Sequence, residues 1–85
     1  DPNVFALTQI FREYAPPDTP IMIERIVENV DAIVKEVTAG NTGWASTQKG
    51  DRAVRRELRT ILRETGLLTV EGLFERAYDY IAEHY

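Results

Sequence analysis

Cysteine is absent from this chain, which excludes disulfide staples and thiolate metal sites and suits a cytosolic protein. Long apolar runs are absent too. The longest, Val4-Phe5-Ala6-Leu7, has four residues, where a membrane span needs about 20. Glycine and proline are sparse, five and four residues, while apolar residues make up 44% of the chain, so the composition is that of a folding globular domain and not of a disordered tract. Histidine occurs once, as the penultimate residue His84, where a fraying chain end leaves nothing downstream to orient it. A solvated His84 is therefore expected, and no histidine-based catalytic constellation. Ser46 has no histidine at a triad spacing. Lys49-Gly50-Asp51 lacks the glycine frame of a phosphate-cradling loop. The chain itself is therefore expected to carry no catalytic residue, no cofactor site and no metal site.

What is present is enough for one domain. Eighty-five residues bury only about 60 to 65 per cent of their extended-chain surface, so one core of modest stability is expected. The net charge is −4, unevenly spread. Residues 1–38 hold seven acids against three bases, residues 39–65 six bases against three acids, and residues 66–85 four acids against one base. An acidic chain thus carries one basic band. Asp1-Pro2 opens it without an initiator methionine, and the expectation is that residues 1–85 are a single helical domain at the C-terminal end of a longer, multidomain polypeptide, with residues 1–17 either belonging to or leading in from a preceding helical region.

Apolar periodicity predicts an all-α domain of four helices. Val4, Leu7, Phe11 and Tyr14 share a face over 3–14, with Asp1 or Asn3 as cap and Ala15-Pro16-Pro17 as stop. Asp18-Thr19-Pro20 is a helix-start signal, and Ile23, Ile26, Val30, Ile33 and Val37, flanked by Val27 and Val34, predict a central helix over 19–38 ending at Gly40. That seam, repeating every 3.5 residues, outweighs the β-branched preference of its residues and reads as intrachain core rather than as a coiled-coil stripe. Residues 39–50, with three glycines, read as a loop. Val54, Leu58, Ile61 and Leu62 predict a third helix over 51–65 stopped by Gly66. Val70, Leu73, Phe74, Ala77, Tyr78 and Ile81 predict a fourth over 70–84 capped by Thr69, the last two forming an antiparallel hairpin across the second.

Arg52, Arg56, Arg59 and Arg63 fall within about 60° of one another on the third helix, with Arg55 beside them, opposite its apolar face. Such a stripe can be solvated, can pair with Glu71, Glu75, Asp79 and Glu83 of the fourth helix, can dock onto an acidic protein surface, or can grip phosphates. A helix-turn-helix built from the last two helices is disfavoured because its groove-entering helix would carry those four acids against the single Arg76. Trp44 either closes the core or anchors an interface. Tyr78 belongs to the core face, while Tyr80 and Tyr85 project differently and suggest an aromatic patch at the C-terminal end.

Gly43-Trp44, Thr47, Gly50-Asp51-Arg52, the five-arginine helix, Leu73-Phe74 and the tyrosines 78, 80 and 85, preceded by Asp18-Thr19-Pro20 and the run from Ile26 to Val34, together resemble the C-terminal region of the restriction (motor) subunit of type I restriction-modification enzymes. The resemblance is strongest over residues 18–85. It implies a non-catalytic helical domain that docks an ATP- and Mg²⁺-dependent, site-specific deoxyribonuclease subunit onto a methyltransferase (modification) core in the cytoplasm. The nuclease and ATPase chemistry would lie elsewhere in the parent chain. In that setting Arg52, Arg55, Arg56, Arg59 and Arg63, with Trp44, are the expected partner-binding residues. A DNA-contacting role for the arginines and a purely structural cap on the motor subunit are the alternatives.

Overall fold

The first stretch of chain forms a helix because Asp1 caps it. Its carboxylate accepts from the backbone N–H of Asn3 and Val4 at 2.9 and 3.4 Å, and Pro2 takes the first position, where a missing N–H costs nothing. The computed structural model describes residues 1–19 and 22–85, and among them the secondary structure is entirely helical. Helix α1 runs Pro2–Tyr14, α2 Ile23–Thr38, α3 Gln48–Glu64 and α4 Leu73–His84, with a single 3₁₀ turn at Trp44–Ser46. The all-α reading holds. None of these helices is long and apolar enough to cross a membrane.

Three element starts differ from the sequence reading. Helix α2 begins at Ile23, not near 19. The Thr19 N–H and hydroxyl both turn back onto the Pro16 carbonyl, at 3.1 and 2.6 Å, closing a turn instead of capping a helix ahead, while Met22 precedes α2 with no side-chain cap. Pro20, part of the predicted start signal, lies outside the described residues. Helix α3 begins three residues earlier than predicted, because the Thr47 hydroxyl accepts from the Gly50 N–H at 3.0 Å and makes Thr47 the cap. Gly50 is therefore inside the helix, where glycine is disfavoured by about 1 kcal/mol against alanine. Its place is sterically determined: a Cβ there would stand 2.6 Å from the Trp44 carbonyl oxygen and 2.9 Å from the Trp44 Cβ. Helix α4 begins at Leu73, not 70, so Thr69 is not its cap. Residues 67–73 form successive turns, Val70 bonding back to Leu67 and Leu73 to Val70. Gly72 adopts φ +84° directly under Tyr14, whose Cε2 would lie 3.1 Å from a Cβ at that position. The predicted stops at Ala15, Gly40 and Gly66 agree with the structure; Ala15 is extended and both glycines are left-handed.

The helices pack as a ring. Helix α1 lies against α2 and α4, and α3 lies against α2, α4 and the 3₁₀ turn. Helices α3 and α4 do not both cross α2 as the sequence suggested; α4 makes its main contacts with α1 and α3. The ring encloses one core in which Leu7, Phe11, Val27, Val30, Val54, Leu58, Leu62, Leu73 and Ile81 are fully buried. On α3 the buried residues, Val54, Leu58, Ile61 and Leu62, are those the sequence picked out. On α2 the face is rotated: Val27 and Val34, expected at the flanks, are buried, whereas Ile23, Ile33 and Val37 are only partly so. A straight helix of 3.6 residues per turn drifts about 20° per heptad from a 3.5-residue seam. This stripe is covered by α1 and α3 of the same chain, so its apolar residues serve the intrachain core.

Candidate docking face

The outward side of α3 presents the basic band, but its five arginines do not form one equivalent row. Arg55 is half-buried, and its Nε donates to both carboxylate oxygens of Asp51, one turn earlier, at 3.2 and 3.0 Å. Its guanidinium lies 3.9 Å from the centroid of the Tyr78 ring, and the Tyr78 hydroxyl donates to the same Asp51 carboxylate. Arg59 stands 5.1 Å from the Phe74 ring centroid. Phe74 and Tyr78 are near-parallel at 6.4 Å. The sequence allowed the α3 arginines to pair with the acids of α4; among the described residues no such ion pair forms. The two helices meet instead through guanidiniums laid over aromatic rings, an attraction between cation and ring quadrupole. Arg52, Arg56 and Arg63 remain exposed and take part in no ion pair or side-chain hydrogen bond among the described residues.

This cluster also sets protonation. The Tyr78 hydrogen bond, followed by Arg55 and against the opposing effect of burial, holds the Asp51 carboxyl below its ordinary value. Burial first, then the charge and hydrogen bond of Asp51, push the Tyr78 phenol up. A carboxylate depressed in the folded state contributes stability that is present above its unfolded pKa, near 4, and fades as pH falls below that.

Trp44 does not belong to an exposed surface. It is 3% exposed, packed edge-on to Tyr78 at 6.4 Å and 85°, and its carbonyl accepts from the Thr47 N–H and hydroxyl at 3.0 and 2.9 Å. As a docking anchor it is unavailable, because closing the end of the core already uses its ring; it shapes the outward face of α3 only by fixing where that helix starts.

The suggested aromatic patch of Tyr80 and Tyr85 is likewise corrected. Both rings are partly buried and tied to other helices: the Tyr80 hydroxyl donates to Asn3 Oδ1 at 2.8 Å and the Tyr85 hydroxyl to Asp31 Oδ1. Exposed His84 stacks on Tyr80 with centroids 4.2 Å apart. Lys35 Nζ completes the clasp, 3.0 Å from both Asp1 Oδ2 and Asp31 Oδ2. Among the described residues Asp31 is the one buried charged residue, and sequence reading assigned it no role beyond its place in the family-like run. Its signal was legible, an acid among Val27, Val30 and Val34 with a lysine four residues on, but its second partner is 54 residues away.

The clasp predicts a pH dependence. Burial and the Asp31 carboxylate raise the Tyr85 phenol well above its ordinary value. A group whose folded pKa is raised contributes stability that is complete below the unfolded pKa, about 10 for tyrosine, and is lost as pH rises beyond it. Tyr85→Phe is expected to cost about 1.5 kcal/mol at pH 7, the worth of a hydrogen bond to a carboxylate, and to flatten the decline above pH 10. Urea denaturation at pH 7 and across the alkaline range measures both.

Two shallow depressions adjoin the exposed arginines. One, of about 390 Å³, is lined by Gln48, Lys49, Arg52, Ala53 and Arg56. The other, of about 310 Å³, is lined by Val37, Asn41, Thr47, Lys49, Gly50 and Ala53. No His, Cys, Asp or Glu grouping suited to a metal ion occurs among the described residues. Comparison with known proteins finds no matching family model, no matching curated protein and no matching solved structure.

Proposed function

We propose that this domain is a docking module that attaches a type I restriction motor subunit to its methyltransferase core, with the outward face of α3 as the contact surface. The observation that carries the reading is the division of the arginine band. Arg55 is half-buried against Tyr78 and Arg59, though exposed, lies over Phe74, whereas Arg52, Arg56 and Arg63 point three positive charges outward with no such partner among the described residues, from an otherwise acidic chain. Exposed like charges on one helix repel one another and stabilise nothing locally, so an opposing acidic surface gives the row a purpose. In this reading ATP, Mg²⁺ and DNA cleavage belong to domains of the parent chain outside residues 1–85, the complex works in the cytoplasm, and this domain contributes attachment alone.

Arg52 and Arg56 are the residues to reverse. Arg59 is less suitable because its replacement would also uncover Phe74. The double variant R52E/R56E is expected to retain the wild-type melting curve and to lose capture of the methyltransferase core by roughly tenfold or more, since charge reversal at an interface both removes attraction and adds repulsion. Co-purification of the domain with the core is the measurement, and unchanged capture defeats the proposal. DNA is the second partner class. Binding of duplex DNA that falls steeply between two salt concentrations and is lost in the same variant would assign the row to phosphates. Stable folding and no binding of either kind would leave a structural cap.

A further inference from the structure

The two depressions adjoin along Lys49 and Ala53, which line both; the first lies on α3 alone and the second between the last turn of α2 and the first turns of α3, and together they make one groove. Its two halves differ in chemistry. One wall carries Lys49, Arg52 and Arg56, all exposed. The other is floored by Val37 and Ala53, both half-buried, with Asn41 at its edge. No carboxylate lines either half, so the positive charge is uncompensated within the groove.

Resting on the docking reading above, we infer that this groove receives an extended acidic segment of the partner, in which carboxylates meet Lys49, Arg52 and Arg56 while an adjacent apolar side chain seats on Val37 and Ala53. Charge complementarity chooses the acidic segment. Three cations within two helical turns favour carboxylates spaced along a chain, and the backbone of such a segment can turn alternate side chains to the basic wall and to the apolar floor. A nucleic acid backbone would satisfy the cations but offers nothing to Val37 and Ala53. The groove is also held in place by the fold: Gly50 sits in its floor against the Trp44 carbonyl, and Thr47, at its end, caps α3.

The test uses the 85-residue domain and three probes, namely a synthetic peptide alternating glutamate and leucine, an all-glutamate peptide of equal charge, and duplex DNA. The alternating peptide is expected to bind about tenfold tighter than the all-glutamate one, the contribution of a partly buried apolar side chain, and to shift the backbone amide resonances of Val37, Asn41, Gly50 and Ala53. Equal affinity for the two peptides, or shifts confined to other faces, overturns the inference. Tighter, steeply salt-dependent binding of duplex DNA overturns it in favour of phosphates. Concentration-dependent self-association that competes with the peptides overturns it in favour of a second copy of the chain. Ala53→Leu fills the groove without altering a charge, and so separates this inference from the docking proposal. Loss of methyltransferase capture by both A53L and R52E/R56E supports the groove. Capture lost by R52E/R56E but kept by A53L leaves docking through the arginines and removes the groove. Capture kept by both removes the two together.

Discussion

Replacing Trp44 with alanine is expected to destabilise the domain by about 3–5 kcal/mol, the cost of deleting a large buried aromatic side chain. A chain of this length has a total stability of only about 4–13 kcal/mol, so the variant should be near or beyond the limit of folding. The side chain is almost wholly enclosed, and its edge-on contact with Tyr78 adds to the area it removes from water. The consequence spreads because the same residue's carbonyl receives the Thr47 hydroxyl, and Thr47 in turn caps α3. A void under the 3₁₀ turn loosens the start of the helix that carries the basic band. Thermal denaturation should show a fall on the order of 20 °C for a domain of this size. Trp44 is the sole tryptophan, so its shielding from acrylamide quenching in the wild-type protein gives a second, independent reading. A variant that melted like wild type and yet failed to capture the proposed methyltransferase partner would return Trp44 to the proposed contact surface.

The pattern of what was legible follows the range of the interactions. The buried face of α3 could be read because Val54, Leu58, Ile61 and Leu62 obey a local period set by helix geometry. The start of α3 was hidden by Gly50, which in a sequence signals a break; only the approach of the Trp44 backbone shows why glycine is required inside a helix. The arginine stripe was visible on a wheel, but its division was not. A wheel gives direction from the helix axis, whereas Arg55 and Arg59 are claimed by Tyr78 and Phe74, residues of another helix. Charge alone suggested the acids of α4 as their partners. Rings took that place because the tetrad Asp51, Arg55, Tyr78 and Trp44 already satisfies the guanidinium and phenol together. The tyrosine clasp was beyond the reach of sequence, since Tyr80 and Tyr85 find their partners in α1 and α2 through the closure of the whole ring.

That closure makes α1 the place where the second large effect is expected. The sequence placed the first helix in a single domain over 1–85 while leaving residues 1–17 open as part of, or a lead-in from, an upstream region; Leu7, Ile10 and Phe11 are buried in the common core and α1 bridges α2 and α4. Phe11→Ala should cost about 3–5 kcal/mol by the cavity it opens, while Phe5→Ala, at a position 67% exposed, should stay within about 0.5 kcal/mol of wild type. Deleting residues 1–17 goes further: it uncovers the apolar faces of α2 and α4 at once and removes Asp1 and Asn3 from the clasp, leaving α3 alone to hold both. The truncated chain is expected to lose its cooperative melt, and with it any capture of a partner, even though every outward arginine of α3 remains. Urea titrations of the three variants measure the outcome. A cooperative transition in the truncated protein, or an unperturbed one in Phe11→Ala, would mean that the folding unit is α2 to α4 and that α1 merely rests on it.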